Sequence, residues 1–165
     1  MLTLGLDPGT ATTGYGLLRG EGDSISLVAY GAITTPADLP PAQRLQLLHA
    51  GLARLLATWH PQQAAVEQLF FSRNVTTAIA VGQARGVLLL ALADAGVDIF
   101  EYTPAQVKQA IVGYGRGRKD QVQEMVRVLL RLDAVPSPDD AADALALAIC
   151  HLHSERMRRL LASAR

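Results

Sequence analysis

The stretch Gly5-Leu6-Asp7-Pro8-Gly9 decides the fold class, because it ends the first apolar run of the chain with a carboxylate and a turn signal. The residues before Asp7 are apolar enough for a buried strand. Pro8 and Gly9 fit the second and third positions of a type II turn, so we expect the strand to fold back through residues 13–18 as a hairpin. The turn alone would account for Asp7, since Asp often takes the first position of a turn.

Three more carboxylates lie where the neighbouring residues are apolar. Glu67 ends the run Ala64-Ala65-Val66, and Asp140 and Asp143 belong to an Ala- and Leu-rich segment. A buried unpaired carboxylate costs several kcal/mol, and too few basic residues lie beside these positions to pair with them. Hard oxygen ligands that converge from distant parts of a chain are what Mg²⁺ or Mn²⁺ requires. We therefore predict a two-metal site for phosphodiester hydrolysis, which Asp7 completes.

Each of these acids also has an ordinary structural explanation. Glu67 fits a surface position at a strand end, although its apolar neighbours favour a partly enclosed place. Ser137 fits the N-cap of a capping box with Asp140, and acids in a first turn interact favourably with the helix dipole, a role that we assign to Asp139. Asp143 lies one turn further on, within about 60° of Asp140 on the same face. The joint occurrence of the four acids favours the metal site.

Composition indicates one ordinary globular unit. The chain has 165 residues, of which 50% are hydrophobic, enough to bury a core as a single domain spanning residues 1–165, with a tail from about residue 155 as the candidate mobile part. Cys150 is the only cysteine, which excludes an intrachain disulfide and favours a reducing compartment. The run from Gly86 to Ala93 is too short for a bilayer. We expect a cytoplasmic protein without a membrane partner.

Charge is balanced in total but uneven along the chain. The 15 Lys and Arg residues match 15 Asp and Glu residues, so two divalent ions on four acids would leave a net charge of about +4. Basic residues concentrate in the loop 113–119, which we expect to be exposed and mobile, and at Arg156, Arg158 and Arg159, which fit a solvated helix face. This distribution is compatible with a nucleic-acid partner.

The order of elements predicts an α/β fold. After the hairpin, we expect strands at 24–34, 64–66 and 97–102, and helices at 41–59, 74–95, 104–112, 120–132 and from 137, with Thr103 as one N-cap. Three antiparallel strands followed by alternating strands and helices give a five-stranded mixed sheet flanked by helices. This is the ribonuclease H-like plan, with acids at the ends of the first and fourth strands.

Seven motifs in order along nearly the whole chain resemble the RuvC family of bacterial Holliday junction resolvases. They are Gly5-Leu6-Asp7-Pro8-Gly9, Gly14-Tyr15-Gly16, Val66-Glu67-Gln68 with Phe70, Gly82-Gln83-Ala84-Arg85-Gly86, Gln106-Val107-Lys108-Gln109, Lys119-Asp120-Gln121-Val122 and Asp140-Ala141-Ala142-Asp143-Ala144-Leu145-Ala146. Each motif is weak alone, whereas the ordered set is specific. The resemblance implies a structure-specific endonuclease that resolves four-way junction DNA by paired symmetric nicks, leaving 5′-phosphate and 3′-hydroxyl ends, in recombination and repair.

The same resemblance implies roles for cofactors, partners and further residues. It implies two Mg²⁺ ions per active site, with Mn²⁺ as a substitute, held by Asp7, Glu67, Asp140 and Asp143. It places Lys108 and Lys119 at the scissile phosphate and Phe70 at the DNA, and it adds the RuvA–RuvB branch-migration complex as a partner. DNA contacts are expected from Phe70, Arg73, Lys108, Arg116, Arg118 and Lys119.

Two-fold symmetric cleavage requires two equivalent sites, which a homodimer supplies. We expect the apolar helix 74–95, with its small Gly82 and Gly86, to form the dimer interface, although core packing explains the same pattern. Competing functions are an ATPase of the actin and hexokinase superfamily, a YqgF-like RNA nuclease and a non-catalytic branched-DNA-binding adaptor. The ATPase needs two such lobes, the intact acids disfavour the adaptor, and the Asp140-Ala141-Ala142-Asp143 helix favours RuvC over YqgF.

Overall fold

The computed structural model describes residues 1–68 and 75–163. These residues form the strands β1 (Leu2–Asp7), β2 (Thr12–Glu21), β3 (Ser24–Thr34), β4 (Gln63–Glu67) and β5 (Asp98–Tyr102), and the helices α1 (Pro41–Trp59), α2 (Val75–Asp94), α3 (Pro104–Val112), α4 (Lys119–Leu129) and α5 (Asp139–Ser163). The sheet order is β3-β2-β1-β4-β5, antiparallel between the first three strands and parallel from β1 onward. The predicted mixed sheet is confirmed.

Alternation along β1 divides the molecule into three layers. Leu2, Leu4 and Leu6 belong to a buried cluster with side chains of α1 and α2. Because successive strand residues point to opposite faces, Gly5 and Asp7 face the other layer, where α5 packs with α3 and α4. Asp7 therefore stands at the end of a central strand, on the face that carries α5.

Glycines let α5 approach this face of the sheet closely. A Cβ atom at Gly5 would lie 1.9 Å from the carbonyl oxygen of Ala144, and one at Gly14 would lie 1.9 Å from that of Asp140. Any side chain at either position would push the backbone of α5 away. Gly14 is also the cross-strand partner of Asp7, so the same contact sets the start of α5 beside the strand end that bears the first acid.

The first hairpin is confirmed, but the predicted type II turn is wrong. Gly9 lacks the positive φ that the third position of a type II turn requires. Residues 8–11 instead form a longer connection, in which a Cβ at Gly9 would lie 2.2 Å from the carbonyl oxygen of Thr12. Glycine is thus needed for close approach of two backbone segments and not for a left-handed conformation.

The helix ends agree with the sequence in part. Thr103 caps α3 as predicted, since its Oγ1 accepts a hydrogen bond from the backbone N–H of Gln106 at 3.1 Å. Ser137 is not the N-cap of α5, because the first helical hydrogen bond goes to the carbonyl of Pro138 and the helix begins at Asp139. Helix α4 ends at Leu129 and not at residue 132, because Arg131 adopts a left-handed φ of 54°.

A buried polar network joins α5 to the parallel strands. His151 is fully buried, and its Nδ1 lies 2.8 Å from the hydroxyl of Tyr102 while its Nε2 lies 2.7 Å from Oε1 of Gln63. Because Oε1 of Gln63 only accepts, Nε2 donates to it, and in the neutral ring Nδ1 then accepts from the Tyr102 hydroxyl. Burial lowers the pKa of His151 to about 4. The adjacent Cys150 is also buried, and burial raises the pKa of its thiol to about 11.

The His151 network predicts a loss of stability in acid. The pKa of His151 is about 4 in the folded chain, against an ordinary value of 6.5, so the stabilisation is complete above pH 6.5 and lost as the pH falls towards 4. We expect a loss of roughly 3 kcal/mol from this residue between these limits. Urea unfolding from pH 7 to pH 4 measures it. His151→Gln should lack this component, His60→Gln at an exposed position should retain it, and equal pH profiles for all three proteins would contradict it.

Candidate active site

Parallel pairing of β1 and β4 brings the first two acids together. Leu6 pairs with Val66, so Asp7 and Glu67 follow at adjacent positions where the two strands end. Asp7 and Glu67 are both half-buried at this edge. The register therefore places both carboxylates at the ends of their strands, as the sequence predicts.

Helix α5 brings the other two acids to the same edge. Asp143 lines one cavity of about 290 Å³ together with Asp7 and Glu67. Asp140 lines an adjoining groove instead, although its charge contributes to the raised pKa of Asp7. The four carboxylates thus lie across the boundary between two depressions and not in one pocket.

Two lysines complete the cavity. Lys108 of α3 and Lys119, the first residue of α4, both line it. Nζ of Lys119 lies 3.0 Å from Oδ2 of Asp143 and 3.3 Å from Oδ2 of Asp139. Asp139, which the sequence assigned only to the helix dipole, is thus also a partner of the lysine that faces the acids.

Burial and mutual repulsion shape the electrostatics of the acids. Burial, and then the charges of Glu67, Asp143 and Asp140, raise the pKa of Asp7 to about 8. Burial also raises the pKa of Glu67, with Asp143 adding to the effect and Lys108 and Lys119 opposing it. In the metal-free protein, burial and mutual repulsion disfavour the ionised form of these carboxylates. A cation bound between them would offset both effects.

The donor chemistry fits a hard divalent cation. Carboxylate oxygens from three separate elements are the ligands that Mg²⁺ and Mn²⁺ prefer. Within residues 1–68 and 75–163, no three acidic, His or Cys side chains are already grouped closely enough to hold a metal ion. Lys119 instead places a cationic group beside Asp143, with Nζ 3.0 Å from Oδ2.

The basic loop is more constrained than the sequence suggested. Gly117 is buried, since a Cβ there would lie 2.6 Å from a side-chain carbon of Val112, so the loop is not exposed throughout. Arg118 makes two hydrogen bonds with Asp120, at 2.7 and 3.0 Å, which reduces its availability for DNA. Arg116 is exposed. Lys119 likewise pairs with two acids, so Arg116 is the predicted DNA contact of this loop without an ion pair to a described acid, and all three roles stay predictions.

Three predicted residues lie outside the described part of the chain, and one residue that contacts the site was not predicted. Phe70, Phe71 and Arg73 fall within residues 69–74, so their predicted roles stay predictions. Sequence reasoning assigned no role to Arg85, which donates from Nε to the carbonyl oxygen of Glu67 at 3.1 Å and pairs with Glu101 at 2.6 Å. An arginine within an otherwise apolar helix was the available signal for this anchor.

Fold and site define a ribonuclease H-like protein whose acids meet at the carboxyl ends of two central strands. A family model described as crossover junction endodeoxyribonuclease RuvC matches residues 3–151. A relative of that description from Heliobacterium modesticaldum is 60% identical over 154 residues, which cover 93% of this chain and 95% of the relative. The chain belongs to the RuvC family.

Two solved structures agree in fold. Thermus thermophilus RuvC superposes with a TM-score of 0.87 at 38% identity, over 95% of this chain and 96% of that one. T. thermophilus RuvC in complex with Holliday junction substrate gives a TM-score of 0.90 at 37% identity, with the same coverage. The predicted ribonuclease H-like class and the resemblance to RuvC are both confirmed.

Proposed function

We propose that this chain is a structure-specific endonuclease that resolves Holliday junctions by paired symmetric nicks in homologous recombination and DNA repair. The observation that carries the proposal is the grouping of Asp7, Glu67 and Asp143 with Lys108 and Lys119 around one cavity, in a chain of the RuvC family. The T. thermophilus relative in complex with a Holliday junction supports the same substrate.

The acids and the lysines of the site have different roles in the proposed hydrolysis. Asp7, Glu67, Asp140 and Asp143 would hold Mg²⁺, or Mn²⁺ in its place, and the bound ions would make a water nucleophilic and neutralise the departing 3′ oxygen. Lys119 and Lys108 stabilise negative charge that builds up on the phosphate. Arg85 keeps the end of β4 in place through the carbonyl of Glu67. Hydrolysis in this arrangement leaves a 5′-phosphate and a 3′-hydroxyl.

One assay tests the proposal against its alternatives. The purified protein is incubated with a synthetic four-way junction, a linear duplex of the same sequence and a structured RNA, each with Mg²⁺ or with chelator. Symmetric nicks on the junction that require Mg²⁺ support the proposal. Cleavage of the RNA in preference to the junction would favour the YqgF-like nuclease, and binding of the junction without cleavage at any Mg²⁺ concentration would favour the adaptor.

A homodimer through α2 accompanies the proposed symmetric cleavage. Helix α2 contains the stretch Thr76–Asp94, which, unlike the shorter run 86–93, is long and apolar enough to cross a membrane by length and composition, and only 22% of its apolar part is buried within the molecule. Ile79 is 58% exposed and Leu90 57% exposed, and a Cβ at Gly86 between them would meet nothing within 4 Å. Because paired symmetric nicks need two equivalent sites, we assign this exposed apolar surface to a second copy of the chain.

Loss of the proposed dimer should change how the junction is cut. We expect the double variant Ile79→Glu, Leu90→Glu to shift the protein from dimer to monomer, because two buried charges would lie in the interface. Light scattering measures the mass, and junction cleavage should change from paired to single nicks. Val128→Glu, at an exposed apolar position of α4, is the matched control. A double variant that stays dimeric would contradict this interface.

Further partners and location follow only from the family and the composition. The RuvA–RuvB branch-migration complex, a cytoplasmic location and a single domain across residues 1–165 stay predictions.

A further inference from the structure

The groove that Asp140 lines also contains a basic residue, Arg44. The groove has a volume of about 500 Å³ and is lined by residues that include Thr10, Thr12, Arg44, Thr76 and Asp140. The cavity with Lys108 and Lys119 is lined by the other three acids, Asp7, Glu67 and Asp143. Among the described residues that line the groove, Arg44 is the cation.

Arg44 is held by hydroxyl groups and not by an acid. Its Nε donates to Oγ1 of Thr35 at 2.9 Å, and the Thr35 hydroxyl donates to the carbonyl of Thr10 at 2.6 Å. Thr10 in turn donates to the carbonyl of Ala80 at 3.0 Å. This chain of hydrogen bonds connects α1, the loop after β1 and α2. It fixes the guanidinium without neutralising it.

The charge of Arg44 is therefore available to a ligand. Within residues 1–68 and 75–163, Arg44 has no acid within 4.0 Å, as is also true of Arg19, Arg54, Arg116 and Arg131, whereas the other described arginines pair with carboxylates. With Nε anchored, both Nη groups keep their donors, and no described protein group bonds them. A guanidinium with two free amino groups matches a phosphate, which it binds in a bidentate manner.

We infer that Arg44 binds a backbone phosphate of the cleaved DNA strand, next to the scissile phosphate and on the side away from Lys108 and Lys119. A strand that crosses the four carboxylates from the lysine cavity must enter this groove. The hydroxyls of Thr12 and Thr76 on its wall are further neutral donors for phosphate oxygens. Arg44 also offsets the charge of Asp140 in the same groove, which would otherwise repel the DNA. The inference rests on the proposed junction-cleaving function.

The test measures junction binding and its salt dependence for Arg44→Ala, Arg44→Lys and Arg54→Ala. Arg54 is an exposed residue of the same helix and serves as the matched control. Binding is followed by fluorescence anisotropy with Ca²⁺ in place of Mg²⁺. For Arg44→Ala we expect affinity about tenfold weaker and a salt slope smaller by about one, because one phosphate contact is lost. Arg44→Lys should lie between, and Arg54→Ala should match the wild type.

A set of junctions with single uncharged methylphosphonates then locates the contact. At one phosphate beside the cut, neutralisation should remove the difference between wild type and Arg44→Ala. Urea unfolding of each variant shows whether a loss of junction affinity comes from a loss of stability. If Arg44→Ala does not fold, the affinity and salt slope of Arg44→Lys are compared with the wild type instead. Unchanged affinity and slope for both Arg44 variants, or equal losses for Arg54→Ala, overturn the inference. Failure of the wild type to prefer the junction over linear duplex would instead count against the proposed function.

Discussion

Asp7→Asn is expected to abolish junction cleavage and, at the same time, to stabilise the metal-free protein. The carboxylate lies at the centre of the acids, so we expect cleavage to fall at least about 1000-fold when its charge is removed. The pKa of Asp7 is about 8 in the folded chain, against an ordinary value of 3.8, because burial and the neighbouring acids disfavour the anion. The stabilisation present below pH 3.8 is lost as the pH rises towards 8. Asparagine should therefore stabilise the metal-free protein by roughly 2 to 4 kcal/mol at pH 7.

Three measurements examine this prediction. Urea unfolding without metal compares the variant with the wild type at several pH values, and added Mg²⁺ should stabilise the wild type alone. Junction affinity should stay largely intact, as it should for Glu67→Gln, Asp140→Asn and Asp143→Asn, which we also expect to be inactive. Asp38→Asn in an exposed loop is the control and should change neither property. Full activity of Asp7→Asn would remove this residue from the site.

Gly14→Ala should damage both folding and catalysis, through the close contact between β2 and α5. The added methyl carbon would lie 1.9 Å from the carbonyl oxygen of Asp140, and a backbone atom cannot turn aside as a side chain does. We expect a loss of about 3 kcal/mol in stability, at the upper end of the usual range for overpacking. Displacement of the start of α5 moves Asp140 and Asp143 relative to Asp7, so cleavage should be about 100-fold slower.

Gly20→Ala on the same strand is the matched control. Its methyl carbon would lie 2.8 Å from Cδ2 of Leu152, the end of a side chain that can change its rotamer. Unfolding free energies and single-turnover cleavage rates of the two variants are compared with the wild type. If Gly14→Ala were as active and as stable as Gly20→Ala, close contact of α5 would not set the position of the acids.

The sequence predicted the part of the site that depends on strand ends. Asp7 and Glu67 each follow an apolar run, and parallel neighbours end at the same edge of a sheet, so their proximity could be derived before any coordinates. Asp143 could be added because one helical turn separates it from Asp140. The division of the acids between two depressions could not be derived, since it depends on how α5 lies over the sheet.

The errors of prediction have one cause in common. Gly9 fits a turn position by residue type, but its actual requirement is the space taken by the carbonyl of Thr12. Ser137 likewise has good capping chemistry, yet the chain enters the helix one residue later. Both features are decided by the local path of the backbone, which residue type alone does not specify. The alternate glycines at 14 and 16 did carry a usable signal, since residues two apart on a strand share one face.

The buried state of Cys150 has a practical consequence for labelling. It is the chain's only cysteine, and a thiol with a pKa of about 11 is almost fully protonated near neutral pH. Maleimide dyes react with thiolates that they can reach, so the native protein should remain unlabelled. A cysteine introduced at an exposed residue such as Met157 would then be the single attachment point for a fluorophore. The nuclease can be followed on individual junctions without first removing its native cysteine.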